Sequence, residues 1–412
     1  MRSFIEENPI KAMTRHCWLA AGALTLVAGT MARAEEGDGL KWIAATSVRH
    51  DSNFFRLPSS ADTQELIGRS SRAETITTTA LGVHYEKSYS LQSVKLDVGA
   101  IDYRYHNFGY LDFTALNYSG AWQWSYTPSL YGNVTASREE NLNSFSDFQG
   151  FGQRNLRVNT ENRIDVTYEL DARFRLLGAL LQSGQTNRQP LIVENGSRTT
   201  GLETGLRYVF PSENYLGFKL RKLDGTYTDA PLSTTNEVDN SFTQNEIEAE
   251  LLWALSIKTT ADVKVRHISR EHPNFPQRDF NGFGGAARLT WSMSAKTSVT
   301  AALTRDLAAY QTADTNFVQV DRFSLGPVWQ MGAKTRLSMQ LGASVRNYGG
   351  SPGISQASNR RDINREAGLT VDWRPRPFVT VIASAQNVQR SSNAPGLDFS
   401  TNLLNLSARL SF

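Results

Sequence analysis

Cysteine is almost missing from this chain of 412 residues, with Cys17 the single example. Cys17 lies inside a stretch with the marks of an export signal, so the exported chain has no thiol. That excludes disulfides and thiolate metal sites. The Leu-Ala/Ser-Gly/Ala pattern that precedes a lipidated cysteine is absent before Cys17, which argues against a lipid anchor there. Long apolar runs are missing as well. The best, Trp18–Ala28, is too short to cross a bilayer as a helix, so any membrane-spanning part must use strands. A surplus of either charge is also lacking. Cleavage after Ala34 removes Arg2, Lys11, Arg15, Arg33, Glu6 and Glu7, and leaves 39 of 43 basic and 38 of 40 acidic side chains. Near neutrality argues against a nucleic-acid partner.

The first 34 residues read as a cleaved secretory signal. Lys11, Arg15 and His16 precede the apolar run, and Ala32-Arg-Ala34 supplies the small residues of a cleavage site. Glu6 and Glu7 are unusual in such a segment, which makes Met13 an alternative start. Residues 35–412 then form one domain.

From Lys41 onward the chain alternates apolar and polar residues in segments of about 10 to 15, near the length a tilted strand needs to cross a bilayer. Eighteen are expected, near 41–50, 74–86, 91–105, 112–126, 129–140, 155–168, 172–185, 198–210, 214–228, 242–254, 258–270, 281–292, 296–309, 317–330, 334–347, 362–374, 378–390 and 400–412. One hairpin more or fewer fits nearly as well. Connections after even segments are mostly short, as in Ser256-Ile-Lys258 and Gly332-Ala-Lys334. Those after odd segments are mostly longer and polar, as in Asp51–Ala73 and Tyr348–Arg361. Short turns on one side and long loops on the other predict an all-β, antiparallel, up-and-down transmembrane barrel in the outer membrane, with periplasmic turns and extracellular loops. Its long loops are spread evenly, which points to a monomer without one dominant constriction loop.

Two further features fit a barrel. Trp253-Ala-Leu-Ser-Ile-Lys-Thr259, Trp291-Ser-Met-Ser-Ala-Lys-Thr297 and Trp329-Gln-Met-Gly-Ala-Lys-Thr335 recur every 38 residues. With Trp124 and Trp373 in equivalent places, these indoles predict a girdle against membrane lipid at the periplasmic interface. A repeated hairpin in a soluble propeller or solenoid is the alternative. The last segment puts Leu404, Leu406, Leu410 and Phe412 on one face and Asn405, Ser407 and Arg409 on the other. A terminal aromatic on the apolar face suits recognition by the outer-membrane assembly machinery; an ordinary edge strand of a soluble sheet is the alternative.

Candidate lumen-lining residues are Arg138, Arg157, Arg163, Arg173, Arg288, Arg336 and Arg346, with Glu248 and Glu250 expected to pair with Lys264 and Arg266 inside the barrel. Such ladders satisfy polar groups on a wet wall, or present a lining along which a polar polymer slides. Tyr103, Tyr105, Phe108 and Tyr110 mark one loop tip, and Phe148 and Phe151 another. Those rings suit either stacking on sugars or a girdle and an inward-folded constriction. The histidines after residue 34, namely His50, His84, His106, His267 and His272, show no metal-ligand spacing, and no nucleophile elbow or phosphate loop occurs. No cofactor, metal or catalytic residue is therefore expected, although an outer-membrane enzyme built from one His, one Ser and an acid is a third possibility.

The segments Ala73-Glu-Thr-Ile-Thr-Thr-Thr-Ala-Leu-Gly-Val83, Asp102-Tyr-Arg-Tyr-His-Asn-Phe-Gly-Tyr-Leu-Asp-Phe113 and Leu142-Asn-Ser-Phe-Ser-Asp-Phe-Gln-Gly-Phe151 resemble EpsL-type barrels of exosortase-associated exopolysaccharide clusters. The resemblance implies an outer-membrane channel that takes part in export of a newly made exopolysaccharide chain, with any periplasmic polysaccharide export partner a separate protein. It brings no catalytic residues. The alternative function is a passive porin for small solutes.

Overall fold

The computed structural model describes residues 39–146, 154–188, 196–228, 232–234, 237, 239–312, 315–350 and 359–412. The expected signal segment lies outside these residues, as do Phe148 and Phe151. Eighteen strands are present: β1 (Gly39–Asp51), β2 (Glu74–Tyr89), β3 (Gln92–Tyr105), β4 (Phe113–Thr127), β5 (Leu130–Leu142), β6 (Leu156–Glu169), β7 (Phe174–Asn187), β8 (Ser197–Val209) and β9 (Tyr215–Tyr227) form the first half. The second half comprises β10 (Ser241–Ser256), β11 (Thr259–Glu271), β12 (Phe280–Ser292), β13 (Thr297–Thr312), β14 (Thr315–Gln330), β15 (Thr335–Gly349), β16 (Arg361–Arg376), β17 (Val379–Ser392) and β18 (Phe399–Ser411).

Each strand pairs antiparallel with its neighbours in sequence, and β18 pairs with β1 from Ile43↔Ser411 to Asp51↔Leu403. Closure leaves no strand edge unpaired, which is what a lipid surround demands of a sheet. At the seam the Trp42 amide donates to the Phe412 carbonyl (2.6 Å) and the Phe412 amide to the Trp42 carbonyl (3.0 Å). Eighteen strands spaced about 4.8 Å apart and tilted about 40° enclose a backbone cylinder roughly 35 Å across.

The alternation sorts the two faces. On β15, Leu337, Met339, Leu341, Ala343 and Val345 share the outward face, while Arg336, Ser338, Gln340, Ser344 and Arg346 share the inward one. Outward indoles at Trp124, Trp253, Trp291, Trp329 and Trp373 ring the short-turn end of the barrel, joined by Trp42 and Trp122. The 38-residue repeat acquires a physical meaning here. Thr259 stands across from Trp291, Thr297 from Trp329 and Thr335 from Trp373, so each repeat lays its threonine beside the next indole. The repeated serine caps the turn: Ser294 Oγ accepts from the Lys296 (3.2 Å) and Thr297 (3.1 Å) amides, and Ser256 Oγ from the Lys258 amide (3.2 Å). In the turn between β6 and β7, the Phe174 and Arg173 amides, both at 2.7 Å, hold the Asp171 carboxyl below the usual carboxylate range.

The mouth departs from expectation. The connection after β1, which carries the short helix α1 (Thr63–Ile67), does not stand clear of the barrel. Phe54, Phe55 and Leu57 are buried against the inward-facing Ile76, Tyr103, Tyr105 and Phe113, together with Phe108, Leu111 and Phe145. This is the main apolar core of a protein whose other large apolar side chains mostly face outward.

Candidate functional site: the charged inner wall and the mouth

Register fixes which side chains share the lumen. On β10 the row Glu246, Glu248, Glu250 stands across from Arg221, Lys219 and Gly217 of β9, and across from Ile268, Arg266 and Lys264 of β11. Glu250 accepts from Lys219 Nζ (2.6 Å) and Arg207 Nη2 (2.9 Å). Glu203 of β8 accepts from Arg163 Nη2 (2.8 Å) and Arg221 Nε (2.9 Å), and Arg221 Nη1 reaches Glu246 (2.6 Å). Two adjacent sets of opposite charges, one through Glu203 and Arg221 and one through Glu250 and Lys219, thus form a lattice over the inner wall from β6 to β10. Bidentate and shared contacts hold the guanidinium planes in place, as arginine's fork favours.

The expected pairing of Glu248 and Glu250 with Lys264 and Arg266 is right in register and wrong in partner. Glu250 turns to β8 and β9 instead, the Glu248 carboxylate has Lys219 at 3.9 Å, and Arg266 donates to Asp306 of β13 (2.8 Å). A residue in mid-sheet faces a neighbour on each side, and side-chain reach decides between them. Lys264, Arg288 on β12 and Arg322 on β14 also face inward, and among the described residues none has a carboxylate within ion-pair distance. Glu250 lies across from Lys264 but is held by β8 and β9, while Asp262, across from Arg288, makes no ion pair among the described residues. Ala286, Ala302, Thr304 and Ser324 lie between these cations, so the wall there is low and basic.

Of the other expected lining residues, Arg157, Arg163, Arg336 and Arg346 face the lumen; Arg336 donates to Asp372 (2.8 Å). Arg138 does not. It stands beside Tyr118 and Thr160 on the outward face and donates to Glu140 (3.0 Å), because the odd residues of β5 are the inward ones. Arg173 lies in the turn before β7, not on the wall, with its guanidinium 3.3 Å from the Tyr208 hydroxyl. Sequence reasoning missed Arg207, Lys219, Arg221 and Glu203. The signal was available in β9, where Lys219 and Arg221 alternate with Phe218 and Leu220.

Of the two readings of the aromatic loop residues, the described ones follow the inward-folded one more than sugar stacking. Tyr103, Tyr105 and Phe108 are buried, Tyr103 stacked on Phe113 (4.5 Å) and Phe108 edge-on to Phe55 (4.7 Å), so these faces are not free to stack on a sugar. Tyr110 alone of the four is exposed. Phe145 packs on Phe55 (4.6 Å), and the Ser146 carbonyl next to it accepts from Arg390 on β17. That contact carries the chain after β5 over the inner side of β1–β4. Asn53, bonded to the Ser400 carbonyl (3.1 Å), and Arg56, paired with Asp51 (2.8 Å), fix the first loop inside. The long loops are therefore unequal, two of them lining one side of the mouth.

A second knot of contacts lies at the loop ends of β10 and β11. Arg270 lies 3.8 Å from the Phe242 ring centroid and donates to Gln244 (2.7 Å). Burial works to raise the Asp239 carboxyl, but hydrogen bonds from Asn274 Nδ2 (2.9 Å), the Asn274 amide (2.8 Å) and the Ser241 and Asn240 amides leave it below the usual range. His272 is buried, its Nδ1 3.5 Å from the Asp279 carboxylate and outside good hydrogen-bond geometry, and its Nε2 without a partner among the described residues. Burial, with Arg270 alongside, pushes it below the ordinary histidine value despite Asp239 and Asp279 nearby. Of the other histidines, His84 contacts Asp97 (2.7 Å), His50 contacts Thr75 (3.1 Å) and His267 lies against the Phe283 ring. Among the described residues no three histidine, cysteine or acidic side chains are grouped to hold a metal ion.

No protein-family model matches the sequence, and no curated protein does. Solved structures do match. OccK1 (OpdK) of Pseudomonas aeruginosa has a TM-score of 0.50 at 10% identity, over 90% of this chain and 99% of that one. The fold is that of a porin-type barrel. OccK2 (OpdF) of the same organism gives 0.52 at 11% identity over 91% and 98%, and a BenF-like porin from Pseudomonas fluorescens Pf-5 gives 0.52 at 10% over 91% and 99%. OpdK has been solved with vanillate and OccK2 in complex with glucuronate. At such identities the likeness carries the fold, and the outer membrane is the setting it supports.

Proposed function

We propose that this barrel is a passive outer-membrane channel for small polar solutes, with a preference for those bearing a carboxylate. The observation that carries the proposal is the distribution of charge inside: the acids of the β6–β10 lattice are held by wall cations, while Lys264, Arg288 and Arg322 lack a carboxylate at ion-pair distance on a wall of small side chains. An entering carboxylate can meet guanidinium or ammonium groups there without first displacing a protein acid. Vanillate and glucuronate, the molecules seen with two structural neighbours, are both carboxylates. The inward aromatic cluster narrows the mouth, as suits a small solute. It sits less well with an extended polymer, so export of exopolysaccharide, the role implied by the EpsL-type resemblance, draws its support from those sequence segments alone.

Liposome swelling with matched concentrations of glucuronate and glucose tests the proposal. The wild type should admit glucuronate faster, and the triple variant K264A/R288A/R322A should lose that advantage while still admitting glucose. A wild type that passes neither solute, or a triple variant with undiminished preference, overturns it.

A further inference from the structure

We infer that the outward face of β16, at Arg361 and Arg365, is a binding site for the phosphorylated headgroup of an outer-leaflet glycolipid. The inference rests on the outer-membrane placement of the barrel and is independent of what passes through it.

Both side chains point away from the lumen and are exposed, in register with Asn347 and Ala343 of β15 and with Asn393 and Gln389 beside β17. Neither guanidinium has a hydrogen-bond or ion-pair partner among the described residues. Their height matters. Trp373 marks the periplasmic interface on the same strand, and Arg365 lies eight residues above it, about 26 Å along the strand or roughly 20 Å in height at a 40° tilt. Arg361 lies twelve residues above, roughly 30 Å. An apolar band about 25 Å tall therefore ends between them. Below Arg365 the outward residues of the strand are Ala367, Leu369 and Val371. An occupant must then combine acyl chains beneath with negative charge at the level of the two arginines.

The charge is local to this sector. Elsewhere the outward cations at this height have acids beside them: Arg305 holds Asp321 (3.1 Å), Arg104 holds Asp102 (2.7 Å), Arg138 holds Glu140, and Arg198 and Lys222 flank Asp224. From β15 through β18 to β2, no outward-facing strand residue is acidic. The neighbours are Asn347, Gln389, Ser391, Ser400 and Asn402, hydrogen-bonding groups suited to sugar hydroxyls. Residues 351–358, which join β15 to β16 in the sequence, contain no acid. Two cations about 13 Å apart along one strand, each on a long flexible arm, match a headgroup carrying two phosphates better than a single inorganic ion.

The test uses the purified full chain in detergent and native mass spectrometry with three probes: a diphosphorylated, acylated glucosamine disaccharide, the same lipid stripped of phosphate, and inorganic phosphate alone. The wild type should retain the diphosphorylated lipid, and R361A/R365A should bind it about tenfold or more weakly, with single-channel conductance unchanged. The variant R361K/R365K keeps the charge and should recover part of the retention. Equal retention of phosphorylated and stripped lipid by the wild type, or equal retention by wild type and alanine variant, overturns the site. So does inorganic phosphate binding as tightly as the lipid, or a wild-type dimer that dissolves in the alanine variant without change in lipid retention. A chain that passes no solute would overturn the channel proposal and leave this comparison standing.

Discussion

Removing the Glu250 carboxylate should make the channel markedly more anion-selective. Glu250 is nearly fully buried at the junction of β8, β9 and β10, where it holds Lys219 at 2.6 Å and Arg207 at 2.9 Å, with Lys264 across from it on β11. In E250A three basic side chains share that stretch of wall with no acid among them closer than Glu248. A unit charge about 6 Å from a passing ion, at the dielectric of water, changes its energy by about 0.7 kcal/mol, or roughly threefold in local concentration. The low-dielectric wall enlarges that figure and salt screening reduces it. The structural cost is about 1–3 kcal/mol, below that of a dry buried pair because Arg207 and Lys219 both keep some contact with lumen water. Such a loss is small against the closed ladder of eighteen strands. The assay is the reversal potential across a planar bilayer under a KCl gradient centred near 0.1 M, comparing wild type, E250A and E250Q. Anion and cation shift in opposite senses, so the ratio would change about tenfold unscreened. With the screening length of about 10 Å at 0.1 M, both variants should raise the anion-to-cation permeability ratio about fourfold, and the effect should shrink at 1 M salt, where the screening length falls to about 3 Å. An unchanged ratio at low salt in a folded variant would refute the charge lattice, as would a shift that ignores salt.

Deleting Phe412 removes the double hydrogen bond to Trp42 and the aromatic end of β18, so the outer-membrane level of the protein should fall far more than the conductance of the channels that do assemble; normal levels would refute the role given to that residue. F54A/F55A empties the aromatic cluster of two rings at about 3–5 kcal/mol each, so the first loop should loosen and single-channel conductance rise while the barrel stays folded. The depressed His272 value makes the neutral imidazole the native form: folded and unfolded states bind protons equally above the unfolded value near 6.5, and the unfolded loop binds more below it. The β11–β12 loop should therefore lose protection from hydrogen exchange as pH falls from about 7 toward 5, in a variant-sensitive way, and H272Q should abolish the pH dependence.

The wall was legible because alternation fixes both the presence of a strand and its faces; β15 and β18 could be read outright, and each of the eighteen segments lies within three residues of its strand. β5 could not be read. Ser137-Arg-Glu-Glu-Asn141 at its upper end is polar on both faces, so nothing in it says which residues are inward, and Arg138 was misassigned. Ion-pair partners were illegible for a different reason: register supplies two candidates for every inward residue, and the choice between them depends on rotamers. The inward loop was hinted at by Phe54-Phe55, an apolar pair inside an otherwise polar connection, which has little reason to be there unless it is covered.

The seam between β1 and β18 has the same antiparallel pairing as every other junction in the wall. Geometrically the cylinder has no preferred place for the chain to begin. A gene rearranged to start in any of the short periplasmic turns, with Phe412 joined by a brief linker to residue 39, would encode the same ring. What it would lose is the aromatic terminus. If such a permuted chain folds in detergent yet fails to accumulate in cells, the last residue serves as an address and contributes little as a brick.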